Sequence, residues 1–289
     1  MKKDILISAI SKDKLVYSYI VILNDTIKEF QKRHNLNIIS QAIMARAVTG
    51  AVLLSGNLKN EGDILVLNWN CTGPVNKIVV EVNSAGKVRG YIENPNLSFI
   101  ENSIVDGNIK AEPYIGFGEL IVSRFTTSGN PPYHSVVPIV SGEIAEDIAL
   151  YIQQSLQIES ALKIGLSINK DNILEVCGGI LLIAYPEVSD KRIKEINNKF
   201  EAIKSFTDLL KENDFNYNKI FDNFELEKFA EREISFECNC NISQIKNFLM
   251  KLKEEELKEF IEKDGKINVD CKYCGTHYEF LQEEIRKDE

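Results

Sequence analysis

Four cysteines lie in two close pairs near the C-terminal end of the sequence. Cys238 and Cys240 enclose one residue, Cys271 and Cys274 enclose two, and thirty residues separate the pairs. Two thiol pairs brought together by a folded insert supply four sulfur ligands, the set that tetrahedral zinc binds in closed structural sites. The spacing therefore predicts one zinc ion held by four thiolates. His277 is an alternative ligand, although four thiolates already complete the coordination shell.

The residues between the pairs can form that insert. Ser243 can cap a helix, and Ile267 and Val269 alternate in the manner of a strand leading to Cys271. A module of fifty-seven residues, 233–289, buries little core and gains much of its stability from a bound metal. The pattern indicates a small zinc-binding domain.

The same thiols allow two interpretations of this domain. Oxidants attack thiolates, and oxidised sulfurs no longer bind zinc, so about 10–16 kcal/mol of apparent binding free energy would disappear. The site could then be a switch between a folded, zinc-bound form and an unfolded, oxidised form. The other interpretation is a permanently closed zinc site whose only role is to stabilise the fold of the domain. The remaining cysteines, Cys71 and Cys177, are isolated, and we expect them to be buried and unreactive.

Residues 1–186 have the pattern of an α+β domain, a mixed arrangement of sheets and helices. Ser40 can cap a largely apolar, buried helix that extends to Lys59, and a second helix is predicted to start at Ser141. Apolar and alternating runs predict strands around these helices, at 4–10, 14–22, 64–69, 78–82, 88–92, 118–126, 134–140, 161–168 and 172–184.

Residues 187–232 are predicted to form an amphipathic helical linker. Apolar residues recur there at helical spacing among many charges, and aromatic residues follow without an intervening glycine or proline. The apolar face either packs permanently against the first domain or is a docked surface that can be released for partners. The residues alone favour permanent packing.

Charge and composition exclude several classes of function. The chain has 34 basic and 43 acidic side chains, for a net charge of −9, and a nucleic-acid-binding protein usually has the opposite balance. Three scattered histidines offer no nucleophile–base pair, and the usual phosphate-binding glycine loop is missing, so neither an enzyme nor a nucleotide-dependent activity is expected. The sequence predicts no signal peptide or membrane span, and we expect a cytoplasmic protein.

At this point the sequence resembles the 33 kDa chaperonin family, the redox-regulated heat-shock holdases of the bacterial cytosol. The resemblance covers nearly the whole chain. The motifs that carry it are Cys238-Asn239-Cys240, Cys271-Lys272-Tyr273-Cys274 with Tyr278 and Phe280, Ala45-Arg46-Ala47 to Leu58-Lys59, the hairpin 86–91, Ser141 to Asp147, and Gly178-Gly179 with Pro186.

The resemblance implies an ATP-independent chaperone that is inactive while reduced and zinc-bound. Oxidation would form Cys238–Cys240 and Cys271–Cys274 disulfides, release zinc, unfold the C-terminal module and loosen the linker. The active form would bind unfolding client proteins and form a homodimer. Because of this resemblance we favour a linker that can be released. We expect its docked apolar face, in the resting state, to be formed by Phe200, Phe206, Phe221 and Phe224.

Two alternatives to the chaperone have a zinc site of the same kind. A zinc-ribbon nucleic-acid-binding protein would present basic residues to phosphate, whereas residues 233–289 carry nine basic and fourteen acidic side chains. A zinc-stapled structural protein would have the metal site without any switch.

Overall fold

The computed structural model describes residues 3–105, 107–212, 217–261 and 265–285. These residues divide into two compact units, 1–236 and 237–289. Each unit has its own apolar cluster, and the mixed sheets and helices give the α+β class that the sequence predicts.

Two sheets form the framework of the first unit. The five-stranded sheet has the order β10-β11-β2-β1-β12, with all neighbours antiparallel, and its strands are β1 (Ile5–Ser11), β2 (Val16–Ile22), β10 (Glu159–Ile168), β11 (Leu174–Ala184) and β12 (Leu226–Glu233). The six-stranded sheet has the order β13-β5-β4-β3-β8-β9, with strands β3 (Ile64–Cys71), β4 (Lys77–Asn83), β5 (Lys87–Ile92), β8 (Gly118–Phe125), β9 (Tyr133–Ile139) and β13 (Ser235–Phe236).

Helix α2 (Ile38–Ser55) contacts strands of both sheets and lies in the main apolar core. Its length and hydropathy would also suit a membrane span, but 83% of its residues are buried inside the unit, as in the core helix of a globular domain. The helix begins before the predicted cap at Ser40. Asn37 is the N-cap, because its side-chain oxygen accepts the backbone N–H of Ser40 at 3.0 Å.

Shorter elements complete this part of the unit. They are α1 (Asn24–His34), the small hairpin of β6 (Ile104–Val105) and β7 (Asn108–Ile109), α3 (Glu112–Ile115), and α4 (Ala145–Tyr151) with a π-helical turn at Ile152–Leu156. Helix α4 starts later than the predicted Ser141. The carboxylate of Asp147 accepts the backbone N–H groups of Val140 and Ser141, both at 3.0 Å, and so fixes the turn before the helix.

The predicted linker is helical over most of its length and ends as a strand. It contains α5 (Asp190–Glu201), α6 (Phe206–Lys211) and α7 (Tyr217–Phe224), which pack with the five-stranded sheet in a second apolar cluster. Residues 226–232 were expected to continue the helical pattern, but they belong to β12, which pairs with the edge of β1. Pairing with an open sheet edge overrides the weak local preference of these charged residues.

The second unit is small. It contains α8 (Ile242–Leu249), α9 (Glu254–Lys258), the antiparallel pair β14 (Lys266–Asp270) and β15 (His277–Leu281), and α10 (Gln282–Ile285). Asn241, rather than Ser243, caps α8 by accepting the backbone N–H of Gln244 at 2.9 Å. Among the described residues, the buried cluster of this unit consists of Leu249, Leu257, Ile267, Phe280 and Ile285.

Candidate metal centre

The four clustered cysteines meet at one point of the second unit. Their sulfur atoms all lie within 4.8 Å of one another, and all four are free thiols. Cys238 Sγ lies 3.8 Å from Cys271 Sγ, and Cys240 Sγ lies 3.3 Å from Cys274 Sγ. A tetrahedral site with metal–sulfur bonds of about 2.3 Å has sulfur–sulfur separations of about 3.8 Å. The cluster therefore has the donors and the size to hold a metal ion.

Local structure places each cysteine pair. Cys238 and Cys240 lie in the irregular segment that precedes α8. Cys271 and Cys274 lie in the tight turn between β14 and β15, where the backbone oxygen of Cys271 accepts from the N–H groups of Cys274 and Gly275 at 3.2 and 2.7 Å. Gly275 has a φ of 69°, a left-handed conformation that favours glycine. The turn thus presents both sulfurs on the same side of the hairpin.

Two hydroxyl groups contact the sulfurs. Tyr278 donates its hydroxyl to Cys240 Sγ at 3.1 Å, and this bond, with some desolvation, raises the pKa of Tyr278 to about 12. The Thr276 hydroxyl lies 3.1 Å from Cys274 Sγ. Burial acts to raise the pKa of Cys274, but hydrogen bonds from the hydroxyl and backbone N–H of Thr276 outweigh it and lower the pKa to about 7. Hydroxyl donors of this kind stabilise thiolate.

The other ionisable candidates lie outside this cluster. His277 is exposed, and its Nδ1 lies 2.7 Å from Asp270 Oδ1, so the four thiols assemble without it. Cys177 is fully buried beside the Thr49 hydroxyl, at 3.3 Å, and Cys71 is half-buried. Burial raises the pKa of both Cys71 and Cys177 to about 12, so neither thiol forms a reactive thiolate near neutral pH.

The four phenylalanines predicted to form the docked face of the linker lie together in the first unit. Phe200, Phe206, Phe221 and Phe224 are each at most 4% exposed. They share the second apolar cluster with residues of the five-stranded sheet, among them Ile7, Ile20 and Ile180. The linker therefore covers an apolar face of that sheet in this structure.

Two sheet residues that the sequence reasoning missed hold the linker in place. Lys163 on β10 donates its ammonium to the backbone oxygens of Phe200 and Ile203, at 2.8 and 2.7 Å. Gly165 lies so close to α6 that a Cβ there would be 2.6 Å from the backbone nitrogen of Thr207. A lysine and a glycine within an apolar strand are signals that sequence reasoning could have used.

Comparison with known proteins identifies relatives over nearly the whole chain. The profile of a family described as Hsp33 protein matches residues 4–281. The 33 kDa chaperonin of Lactobacillus johnsonii is 31% identical, with 98% of this chain and 97% of the relative covered. The 33 kDa chaperonin of Listeria monocytogenes serotype 4a is 29% identical, with the same shares covered.

A solved structure has the same fold. The 33 kDa chaperonin of Thermotoga maritima, described as a heat shock protein 33 homolog, superposes with a TM-score of 0.88 at 30% identity, covering 98% of this chain and 97% of that one. Family profile, relatives and fold therefore agree over both units. This chain belongs to the Hsp33 family, whose members are chaperones rather than enzymes.

Proposed function

We propose that this protein is a redox-regulated, ATP-independent holdase, inactive while its four clustered thiolates hold zinc and active after they are oxidised. The observation that carries the proposal is the assembly of Cys238, Cys240, Cys271 and Cys274 within 4.8 Å in a unit with a very small apolar core. The reducing cytoplasm is the compartment in which such a cluster keeps free thiols.

Zinc is the metal that the donor set favours. Four thiolates at tetrahedral separations form a closed structural site without an open position for substrate. Bound zinc would keep the sulfurs as thiolates and link the segment before α8 to the β14–β15 turn. Tyr278 and Thr276 support this state by donating hydrogen bonds to two of the sulfurs.

Oxidation would remove all four ligands. Two molecules of hydrogen peroxide would accept four electrons from the four thiolates. Two S–S bonds would form as the two O–O bonds break, and the peroxide oxygens would take up four protons from solvent and leave as four molecules of water. We propose the pairs Cys238–Cys240 and Cys271–Cys274, as the family resemblance implies. In the folded, reduced cluster the sulfur contacts at 3.8 and 3.3 Å join one cysteine of each pair.

Loss of the metal would destabilise the second unit, because the five buried apolar side chains among its described residues form little core. We propose that the linker, residues 187–232, then loosens and uncovers Phe200, Phe206, Phe221 and Phe224 together with the sheet face beneath them. This apolar surface would bind unfolding client proteins, and the oxidised protein would form a homodimer. Burial and release of apolar area require no nucleotide.

Neither alternative explains the linker as well. A nucleic-acid-binding zinc ribbon requires a basic surface, and residues 233–289 are acidic. A zinc-stapled structural protein accounts for the cysteines but assigns no role to the aromatic residues buried against the sheet.

The proposal is tested by treating the reduced protein with peroxide and mapping its disulfides by peptide mass spectrometry. We expect bonds within each close pair, intact Cys71 and Cys177 thiols, protease cleavage within 187–232 and suppressed aggregation of an unfolding client. Disulfides formed without new cleavage sites in the linker and without protection of the client would leave only the stapled structural protein.

A further inference from the structure

The linker ends in an edge strand whose composition does not match its neighbour. Strand β12 pairs with β1 at one edge of the five-stranded sheet. Five of the eight residues in Leu226–Glu233 are charged, whereas Ile5–Ser11 contains no charged residue. Apart from Leu226, the side chains of β12 are exposed or half-buried. Backbone pairing with β1 therefore provides much of the attachment, together with the half-buried Arg232, which donates to the backbone oxygens of Ser55 and Leu58, both at 3.3 Å.

The difference in polarity between β12 and β1 is largest on the sheet face that the linker helices cover. Residues paired across antiparallel strands project to the same face, and here Ile7 lies opposite Glu231 while Ala9 lies opposite Lys228. Ile7 and Ala9 are fully buried in the cluster that contains Phe206. Glu231 and Lys228 are exposed and pair with each other, an arrangement that contributes little stability. An apolar strand in this position would cover β1 better than β12 does.

The backbone register identifies which groups of β1 depend on β12. The N–H of Ile234 donates to the oxygen of Asp4 at 2.9 Å, directly before the paired strands begin. Hydrogen-bonded pairs alternate along an antiparallel ladder, so Leu6 and Ser8, opposite Arg232 and Ala230, direct their N–H and C=O groups toward β12. These groups would be unpaired if β12 left the sheet.

We propose that β12 is a displaceable cover, and that in the oxidised protein an extended apolar segment of the client takes its place as the edge strand beside β1. This inference rests on the proposed function, since it requires the linker to leave the sheet. The segment recognised is uncharged, with apolar side chains at alternate positions, so that one face packs on Ile7 and Ala9 while the backbone bonds to Leu6 and Ser8. Unfolding proteins expose such segments when their own strands separate.

Strand addition suits a chaperone with many clients. Backbone hydrogen bonds provide affinity that is independent of sequence, while the alternate side chains select only for apolar character. An unpaired apolar edge would also be an aggregation site, which natural proteins avoid by covering or charging it. The charged strand β12 provides that protection in the resting protein, while its exposed Lys228 and Glu231 side chains add little to its attachment opposite Ala9 and Ile7.

The first test is hydrogen–deuterium exchange of the full-length protein in three states: reduced, oxidised, and oxidised with a permanently unfolded carboxymethylated client. The amides of Leu6 and Ser8 should be protected when reduced, exchange at least about tenfold faster when oxidised, and regain protection with client. Protection that persists after oxidation would show that β12 stays in place. Fast exchange in the client complex would show that the client binds only through side chains. Either result overturns the inference.

The second test uses two peptides of about nine residues with identical alternating valine and threonine side chains. One is unmodified, and the other is N-methylated at every second residue, which blocks one hydrogen-bonding edge and leaves the side chains unchanged. The oxidised protein should bind the methylated peptide about tenfold or more weakly, because several backbone hydrogen bonds are lost together. Equal affinity would overturn the inference, whereas failure of the oxidised protein to bind unfolded client at all would refute the proposed function as well.

Discussion

Replacing Gly165 by alanine should loosen helix α6 from the sheet without changing any residue of the linker. A Cβ at this position would lie 2.6 Å from the backbone nitrogen of Thr207 and 2.9 Å from the carbonyl carbon of Phe206. Both contacts are with backbone atoms, which a change of side-chain rotamer cannot relieve. The helix must therefore move outward, away from β10.

The expected magnitude follows from the cost of overpacking. Inserting a methyl group into a well-packed contact destabilises it by about 1–3 kcal/mol. If the strain acts only on the docked linker, the population of the released form rises by about 5- to 150-fold. The reduced variant should then be cleaved faster within 187–232 and should suppress client aggregation before any peroxide is added.

The assay compares reduced wild-type protein, Gly165→Ala and Phe117→Ala under limited proteolysis and in a client aggregation assay. Phe117 lies outside the linker and is 78% exposed, so its replacement should leave both measurements near the wild-type values. Wild-type cleavage and no activity in reduced Gly165→Ala, with the fold intact by circular dichroism, would show that the docking of α6 does not restrain the linker.

Three further predictions concern single side chains. Lys163→Met keeps most of the side-chain length but removes two hydrogen bonds to linker carbonyls. The free energy of linker release should fall by about 1–3 kcal/mol, measured as faster proteolysis, and unchanged proteolysis would contradict this role. Tyr278→Phe removes the hydrogen-bond donor to Cys240 Sγ and should retain the fold. Its affinity for zinc, measured in competition with a chelator, should be about 10- to 100-fold weaker, and an unchanged affinity would show that the hydroxyl does not stabilise the thiolate. With pKa values near 12, Cys71 and Cys177 are about one part in ten thousand thiolate at pH 8. A thiol reagent should therefore leave both unlabelled in the native, reduced protein, and rapid labelling of either would show that its pKa is not raised.

The cysteine spacing was sufficient to predict that the four sulfurs assemble, because each close pair needs only one turn to place two sulfurs together. The hydrogen bonds from Tyr278 and Thr276 were not predictable. They depend on the conformation of the turn between β14 and β15, which the residue types do not specify. The hydroxyl–sulfur distances of 3.1 Å identify both side chains as hydrogen-bond partners of the cysteines.

The limits of periodicity are visible at the end of the linker. Helical spacing predicted helices in this segment, and the described residues form α5, α6 and α7, but the same reasoning failed for β12. Its charged residues show no strand pattern, and its conformation is imposed by the unpaired edge of β1. The predicted helix caps were wrong for a related reason. Asparagine and serine both serve as N-caps, and the backbone conformation places Asn37 and Asn241, rather than the nearby serines, at the N-cap positions.

The central claim is that loss of the metal centre and gain of client binding are one event. It is tested most directly by following zinc release and suppression of client aggregation in the same sample during exposure to peroxide. We expect client protection to rise with zinc release and to reach its maximum when four of the six thiols have been consumed. Complete zinc release without client protection, or full protection while zinc remains bound, would contradict it.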